Sequence, residues 1–345
     1  MPILSRDVSL PLFMCIEAGA SLRLPALLSD HKLKFTRPLL VTGGALLREK
    51  TSRIAASLPG DPVMVSVEKS TFEETERLKE KMDDAGPDIV IGVGGGVVLD
   101  VAKYASSEKA IGFISLPTAV SNDGIASPVS VIRVGGKAKS IPTHMPMAVV
   151  ADLDLIRTAP ASTIRSGIGD LVSNLSACAD WRLAYHKGKE GLDEFTETIS
   201  RNSALRILSA PRASLTDADF LKVLIEGLIM SGIAMGIYGN SRPSSGSEHM
   251  ISHAIDHFLN KENSHGAQVG VATLFTLGLH QMDRVPLRSL FREFSMPLRP
   301  EDLNLTRKEF LFAVSKAPLM RPGRYSILNE TTRAQVEKAY HEAFE

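Results

Sequence analysis

The chain has 345 residues, of which 44% are hydrophobic and 23% are charged, so it is long enough for two globular domains with buried cores. Lys plus Arg and Asp plus Glu both total 39, and the resulting net charge of zero argues against nucleic acid as a partner. Two isolated cysteines are typical of a reducing cytoplasm. No apolar run approaches 18 residues and the N-terminus lacks a secretory pattern, so we expect a cytoplasmic protein that does not span a membrane.

The first half of the chain alternates short apolar runs with amphipathic stretches. The pattern predicts strands at 37–44, 61–68, 87–95, 111–117 and 147–156, with helices between them at 45–57, 71–84 and 98–109. This alternation is typical of a parallel, doubly wound sheet. We therefore predict a Rossmann-like α/β domain over residues 1–157.

Beyond Pro160 the strand signals stop and long helical patterns follow. These lie at 161–185, 191–207, 215–237, 246–260, 266–281, 286–294, 306–315 and 331–344. The sequence therefore predicts an all-α C-terminal domain over residues 158–345.

A glycine turn joins a predicted strand to a predicted helix in PDIVIGVGGGVVLDVAKYAS (87–106). Glycines allow close approach of a ligand to the backbone, and the free amides at a helix start favour an anion such as a pyrophosphate. Val97 stands where the dinucleotide fingerprint has its third glycine. A tight structural turn is therefore the alternative interpretation.

Small polar residues follow the next predicted strand, in SLPTAVSNDGIASPVSVI (115–132). Thr118, Ser121 and Ser127 are suited to hydrogen-bonding a nicotinamide or its ribose. Asp123 precedes a glycine, a dipeptide that is also common in ordinary turns. Together with the glycine turn, this segment favours a cofactor site over two unrelated loops.

Asp170, His249 and His265 form the candidate metal site. Only 16 residues separate the two histidines, so one helix and a loop would bring both imidazoles to one point. Two imidazoles and a carboxylate suit a divalent transition metal and leave a coordination position open for a substrate. His253 lies one helical turn after His249 and shares its face. The alternatives are chance histidines near carboxylates and, for His253, a buried structural role.

In this order, these segments resemble the superfamily that joins iron-containing alcohol dehydrogenases, glycerol dehydrogenase and dehydroquinate synthase. The resemblance extends over residues 87–328 and is strongest to the glycerol-1-phosphate dehydrogenase branch, through SNDGIASP, DWRLA and SGSEH. It implies a dehydroquinate synthase-like fold, with an NAD(P)-binding first domain and a metal- and substrate-binding second domain.

The resemblance also implies roles for individual residues. Asp170, His249 and His265 would hold one divalent metal, with zinc expected and nickel or iron as alternatives. Asp123 and His253 would be catalytic, and both would touch the substrate together with Asp170. NAD(P) would be bound by Gly94, Gly95, Gly96, Val97, Val98, Asp100, Thr118, Ser121 and Ser127. Asn174 stands where iron-dependent alcohol dehydrogenases have a further histidine, so three protein ligands are expected.

The activity implied is reversible reduction of dihydroxyacetone phosphate, a small phosphorylated three-carbon substrate, to sn-glycerol 1-phosphate by a homo-oligomeric enzyme. Lys137, Lys139 and Arg324 are candidates to meet the phosphate, although each is otherwise a solvated charge. The alternatives are a dehydroquinate synthase-like cyclase, a glycerol dehydrogenase-like polyol oxidoreductase and a non-catalytic nucleotide-binding relative.

The end of the first predicted strand bears on cofactor choice. Thr42, Gly43 and Gly44 follow one another there, and no carboxylate occurs before Glu49. NAD-preferring relatives commonly place an acidic residue at this point, where it binds the ribose and repels a 2′-phosphate. We therefore predict that NADPH is accepted at least as well as NADH.

Overall fold

The computed structural model describes residues 8–211, 213–261 and 263–345, and of Leu46 only the backbone. The N-terminal stretch judged to lack a secretory pattern includes residues 1–7, which lie outside the described residues. The chain divides into two compact units, and the division falls after Pro160. The sequence analysis placed this boundary after residue 157.

The first unit is built on a six-stranded parallel sheet with the strand order β1-β8-β5-β4-β2-β3. Its strands are β1 (Phe13–Glu17), β2 (Pro38–Thr42), β3 (Val63–Ser66), β4 (Ile89–Gly94), β5 (Phe113–Pro117) and β8 (Ala148–Asp152). Every residue of β2, β4, β5 and β8 is buried. Such continuous apolar runs are typical of strands that are covered on both faces.

Five helices belong to this unit. They are α1 (Leu24–Asp30), α2 (Ala45–Ser57), α3 (Phe72–Ala85), α4 (Gly96–Glu108) and α5 (Leu153–Arg157). The predicted strand at 147–156 was too long, because Asp152 caps α5 by accepting a hydrogen bond from the Asp154 amide and so ends the strand.

Three strands of this unit were not predicted. β1 is a sheet-edge strand with one buried residue, so it carries no continuous apolar run. The strands β6 (Val129–Val134) and β7 (Lys137–Pro142) form an antiparallel hairpin whose turn places Gly135 and Gly136 at positive φ. β7 is almost wholly exposed, which removes the hydrophobic signal on which strand prediction depends.

The second unit is helical, and its described residues form no strand. Its helices are α6 (Ala161–Val172), α7 (Asn174–His186), α8 (Glu194–Ser209), α9 (Ala218–Tyr238), α10 (Ser247–Leu259), α11 (His265–Leu279), α12 (Val285–Glu293), α13 (Arg307–Lys316) and α14 (Arg333–Phe344). The single helix predicted at 161–185 is two helices that meet at Ser173. An α/β unit followed by an all-α unit is the fold class that the sequence predicted.

One helix, α9, is long and apolar enough to cross a membrane by length and composition. However, 67% of its most apolar window is buried inside the protein, where α9 packs on α8 and α6. These are the properties of a core helix in a helical bundle.

Candidate functional site

Three helices of the second unit bring Asp170, His249 and His265 together. Asp170 lies near the end of α6, His249 in the first turn of α10, and His265 is the first residue of α11. Their ligand atoms all lie within 4.8 Å of one another. The Nε2 atoms of His249 and His265 lie 3.6 Å and 3.7 Å from Asp170 Oδ1. This donor set fits a divalent transition metal.

The contact between α6 and α11 depends on glycine. A Cβ atom on Gly169 would lie 2.0 Å from the Gly266 carbonyl oxygen, and one on Gly266 would lie 1.9 Å from the Ser166 carbonyl oxygen. The Gly266 amide also donates to Ser166 Oγ at 3.2 Å. The two helix backbones therefore touch at the level of the site, which places Asp170 of one helix beside His265 of the other.

Hydrogen bonds fix both imidazoles from behind. Nδ1 of His249 lies 2.9 Å from Oε1 of Glu248, a fully buried carboxylate that also accepts from the Gly246 amide. Nδ1 of His265 lies 3.4 Å from Ser252 Oγ, which donates in turn to Gln268. With Nδ1 held in this way, each ring presents Nε2 to Asp170, as in metal sites whose histidines are oriented by outer partners.

The pKa values of the two candidate histidine ligands are shifted in opposite directions. Burial lowers the pKa of His249, but the hydrogen bonds with Asp170 and Glu248 outweigh it and raise the pKa to about 9. Burial, with the charge on His249, lowers the pKa of His265 to about 4. His265 is therefore neutral, the form that binds a metal, and a metal would displace a proton from His249.

His253 lies beside this group, one turn further along α10. Its ring centroid is 6.3 Å from that of His249 and 6.1 Å from that of His265. Burial, with His265, His249, Arg321 and Arg324 close by, holds the pKa of His253 well below its ordinary value. The imidazole is therefore uncharged at neutral pH, able to accept a proton or to donate its single N–H.

The predicted cofactor segments meet in the first unit. Gly94 ends β4, where it pairs with Pro117 at the end of β5, and the Thr118 amide donates to the Gly94 carbonyl oxygen at 3.0 Å. A Cβ on Gly96 would lie 4.0 Å from Ser121 Oγ. The glycine turn and the 115–132 segment thus form one surface at the carboxyl end of the sheet, where ligands bind in open α/β sheets.

The positions of the glycine turn differ in whether a side chain could be accommodated. A Cβ on Gly94 would lie 2.5 Å from Val98 Cβ, so glycine is needed there for the helix to pack on the strand. Gly95 caps α4 and Gly96 begins it. Val97 is 43% exposed whereas Val98 is buried. The residue at the third glycine position of the fingerprint therefore points outward without obstructing the packing.

A residue that sequence analysis passed over, Lys103, holds the second cofactor segment. Its side chain is 1% exposed, and Nζ donates to the carbonyl oxygens of Gly124 at 2.8 Å and Ser127 at 2.9 Å. Burial raises the pKa of Asp100 to about 6, opposed by the positive charge of Lys103. The signal in the sequence was a charged pair three residues apart within an apolar helix. Asp123 begins a short 3-10 helix in the same segment.

The sequence of the chain is similar to those of known proteins. Residues 15–160 match the family described as iron-containing alcohol dehydrogenase. The chain is 38% identical over 325 residues to "Glycerol-1-phosphate dehydrogenase [NAD(P)+]" of Thermococcus kodakarensis, covering 90% of this chain and 93% of the relative. A relative of the same name from Methanosarcina mazei is 36% identical, covering 90% and 88%. The chain belongs to the glycerol-1-phosphate dehydrogenase family.

Solved structures agree on the fold. An iron-containing alcohol dehydrogenase from Corynebacterium glutamicum superposes with a TM-score of 0.74 at 16% identity, covering 99% of this chain and 97% of the other. The predicted dehydroquinate synthase-like fold and the predicted family are both confirmed.

Asn174, which the sequence analysis excluded as a metal ligand, has a structural role. The Asn174 amide nitrogen donates to Ser203 Oγ at 3.2 Å and to Ser231 Oγ at 3.1 Å, so it joins α7 to α8 and α9. Among the described residues, the group able to hold a metal consists of the three ligands already named. The expected set of three stays a prediction until a metal is located.

The DWRLA segment, on which the resemblance partly rests, contributes a structural anchor through Asp180, which is fully buried. Its carboxylate accepts hydrogen bonds from the Ser247 amide at 2.6 Å, the Ile327 amide at 2.7 Å and His280 Nε2 at 2.9 Å. Burial raises the pKa of Asp180, but the bond from His280 and the two amides outweighs it and lowers the pKa below its ordinary value. Asp180 therefore fixes the start of α10, which carries His249.

The three cations suggested for a substrate phosphate lie in different units. Lys137 and Lys139 are exposed on β7 of the first unit. Arg324 is half-buried in the second unit, where its Nη1 donates to the Ser245 carbonyl oxygen at 2.5 Å.

Proposed function

We propose that this chain is a metal-dependent NAD(P)H oxidoreductase that reduces dihydroxyacetone phosphate to sn-glycerol 1-phosphate and catalyses the reverse oxidation. The observation that carries the proposal is the convergence of Asp170, His249 and His265 within 4.8 Å in a chain of this family. Zinc is the metal we propose, because two imidazoles, one carboxylate and an open position suit it. A cytoplasmic, homo-oligomeric enzyme is part of the same proposal.

When bound, the metal would supply a Lewis acid for the C2 oxygen and the nicotinamide would supply the hydride. The residues of the chain would hold and orient these groups. Asp170, His249 and His265 would bind the metal, while Glu248 and Ser252 keep the two imidazoles in the required tautomer and orientation. Gly94, Gly95 and Gly96 would receive the pyrophosphate at the start of α4.

Proton exchange at the C2 hydroxyl is assigned to His253 in this proposal. Its neutral imidazole adjoins the candidate metal ligands, so it can donate its N–H during reduction or accept a proton during oxidation. Asp123, on the cofactor-bearing unit, is proposed as the second residue that contacts the substrate.

A substrate panel tests the activity. Purified protein loaded with zinc is assayed with NADPH against dihydroxyacetone phosphate, dihydroxyacetone and both glycerol phosphate enantiomers in the reverse direction. We expect net cofactor oxidation with dihydroxyacetone phosphate and activity on the sn-glycerol 1-phosphate enantiomer alone. Turnover with an unchanged cofactor pool would favour the cyclase alternative, and equal kcat/KM for the phosphorylated and unphosphorylated ketones would favour a glycerol dehydrogenase.

Cofactor choice has its own test at the end of β2. Thr42 is buried and bonded to Thr51, and Gly43 and Gly44 follow without a carboxylate. We expect NADPH to be used at least as well as NADH, and an aspartate introduced here to shift the preference toward NADH. A Cβ on Gly43 would lie 3.3 Å from Leu47, whereas Gly44 has open space, so Gly44→Asp accompanies Gly43→Asp. Strong selectivity of the unaltered enzyme for NADH would contradict this assignment.

A further inference from the structure

Two arginines of the RPGRYSIL segment (321–328) converge on one point of the second unit. Arg321 Nη1 donates to Ser241 Oγ at 3.2 Å, and Arg324 Nη2 donates to the same oxygen at 3.4 Å. Arg324 Nη1 also donates to the Ser245 carbonyl oxygen. Both side chains are half-buried or more, so their positive charges are concentrated beside the loop that leads into α10.

This pair of charges has no carboxylate partner at ion-pair distance within the described parts of the chain, since its hydrogen bonds go to a hydroxyl and a carbonyl. The neighbouring Arg242, in contrast, pairs with Glu190 at 2.8 Å. Burial, with the charges of Arg321 and Arg242, lowers the pKa of Arg324 to about 9. The guanidinium groups therefore sit in surroundings that an added anion would stabilise.

Two buried hydroxyls lie at and just after Ser245, whose carbonyl oxygen Arg324 contacts. Ser245 is 4% exposed and Ser247 is fully buried, and neither Oγ atom has a hydrogen-bond partner among the described residues. Both lie at the start of α10, where Gly246 offers no side chain to cap the helix and the helix dipole is positive. Buried hydroxyls without partners are uncommon in proteins and indicate a missing ligand or water.

The cluster of arginines and serines lies at the start of α10, the helix that carries the candidate metal ligand His249. His249 and His253 stand on the first two turns of α10, the helix that begins two residues after Ser245, whose carbonyl oxygen Arg324 contacts. Glu248, one of the carboxylates at the start of α10, has Oε1 occupied by the Gly246 amide and by His249, and its Oε2 has no partner among the described residues. Two other carboxylates of this region are already engaged, since Glu190 pairs with Arg242 and Asp180 accepts from the Ser247 amide and His280.

We infer that Arg321 and Arg324, together with the hydroxyls of Ser245 and Ser247, bind the phosphate of the three-carbon substrate. The inference rests on the proposed function, because it assigns the phosphate end of a substrate whose carbonyl end is placed at Asp170, His249 and His265. Guanidinium groups suit a phosphate through paired N–H donors, and the two serine hydroxyls would add donors from the start of α10. The binding energy of the phosphate would then assist reaction at C2.

Arg321→Ala is the most informative variant, because the Arg321 side chain makes one hydrogen bond, to Ser241 Oγ, within the described structure. We expect kcat/KM for dihydroxyacetone phosphate to fall about 100-fold while that for dihydroxyacetone stays within about twofold, since only the phosphorylated substrate loses a charged hydrogen bond. Inorganic phosphate should inhibit the unaltered enzyme competitively and inhibit Arg321→Ala much more weakly. Arg324→Lys keeps the charge and should give a smaller loss in the same direction.

The matched control is Lys139→Ala, which removes an exposed cation of β7 that the sequence also offered for the phosphate. It should leave both substrates unaffected. Equal losses on the two substrates in Arg321→Ala would show a structural role, and a selective loss in Lys139→Ala would move the phosphate to β7, so either result overturns the inference.

Calorimetric binding separates failure of this inference from failure of the proposed function. Titration of zinc-loaded protein with sn-glycerol 1-phosphate and with inorganic phosphate measures the anion site without turnover. If the unaltered protein prefers dihydroxyacetone, the proposed function fails, yet phosphate binding that disappears in Arg321→Ala still supports an anion site. Phosphate binding that is unchanged in Arg321→Ala and Arg324→Lys rejects the site whatever the substrate.

Discussion

At the scale of single residues, the candidate metal site depends on side chains that are not ligands. Glu248 holds Nδ1 of His249 and is itself held by the Gly246 amide, so the ring is fixed before any metal arrives. The candidate ligand His249 follows Glu248 directly, so the two residues occupy adjacent positions of α10, and the Glu248 side chain is buried. Such a partner raises the basicity of the imidazole and fixes its tautomer.

Replacing Glu248 with Gln keeps the shape and removes the charge. We expect zinc affinity to fall about 10- to 100-fold, the range found when a partner of a metal-bound histidine is lost. Affinity is measured by competition with a chromophoric chelator. Glu194→Gln, at an exposed position of α8, is the control and should bind zinc as the unaltered protein does. Unchanged affinity in Glu248→Gln would show that His249 is not a ligand or is held by other groups.

At the scale of elements, the crossing of α6 and α11 decides whether the ligands meet. Asp170 and His265 belong to different helices, and their separation follows from the contact between Gly169 and Gly266. Two helix backbones can approach this closely only where the facing residues have no side chain. The same crossing buries Gly270 against the Phe291 ring, so packing and site geometry are set by one contact.

Gly266→Ala would place a methyl group 1.9 Å from the Ser166 carbonyl oxygen, which is backbone and cannot move aside alone. We expect the helices to separate, stability to fall by about 3 kcal/mol and bound zinc to be lost. Thermal unfolding and metal analysis report the two effects. On the same helix, Gly278→Ala meets only the far end of Arg284 and should retain both stability and metal. A variant of Gly266 with full zinc occupancy would show that the crossing does not control the site.

At the scale of the whole molecule, the candidate ligands come from three helices of the second unit, so a bound metal would join α6, α10 and α11. Anything that binds the folded state alone stabilises it in proportion to the logarithm of its concentration over Kd. Zinc at about 100 times its Kd should therefore add about 2.7 kcal/mol to the free energy of unfolding.

Metal removal tests this directly. We expect a chelator to lower Tm by several degrees and added zinc to restore it. In His265→Ala, whose removed imidazole makes one weak hydrogen bond to Ser252, zinc should have no effect on Tm and turnover should be lost. Asn174→Ala, which breaks bonds to α8 and α9 without touching the ligands, should lower Tm while leaving the response to zinc intact. A full response to zinc in His265→Ala would contradict the ligand assignment.

The sequence alone determined the class of fold and the family. Continuous apolar runs at β2, β4, β5 and β8 fit strands that are covered on both faces, and the helical periods beyond Pro160 fit an all-α unit. β1 and the β6–β7 hairpin escaped prediction because an edge strand or an exposed hairpin needs no apolar run. Local hydrophobic patterns in a sequence indicate which segments are buried, and few residues of these segments are buried.

Tertiary structure alone decided which side chains stand together. Gly266 and Ser166 are 100 residues apart in the chain and touch, and Arg321 reaches Ser241 across 80 residues. Spacing within a helix shows which residues share a face, as it did for His249 and His253, but contains no information on which other helix that face meets. That choice is made by close packing between elements, here by glycines that let two backbones touch, and it is what brings Asp170 to the two histidines.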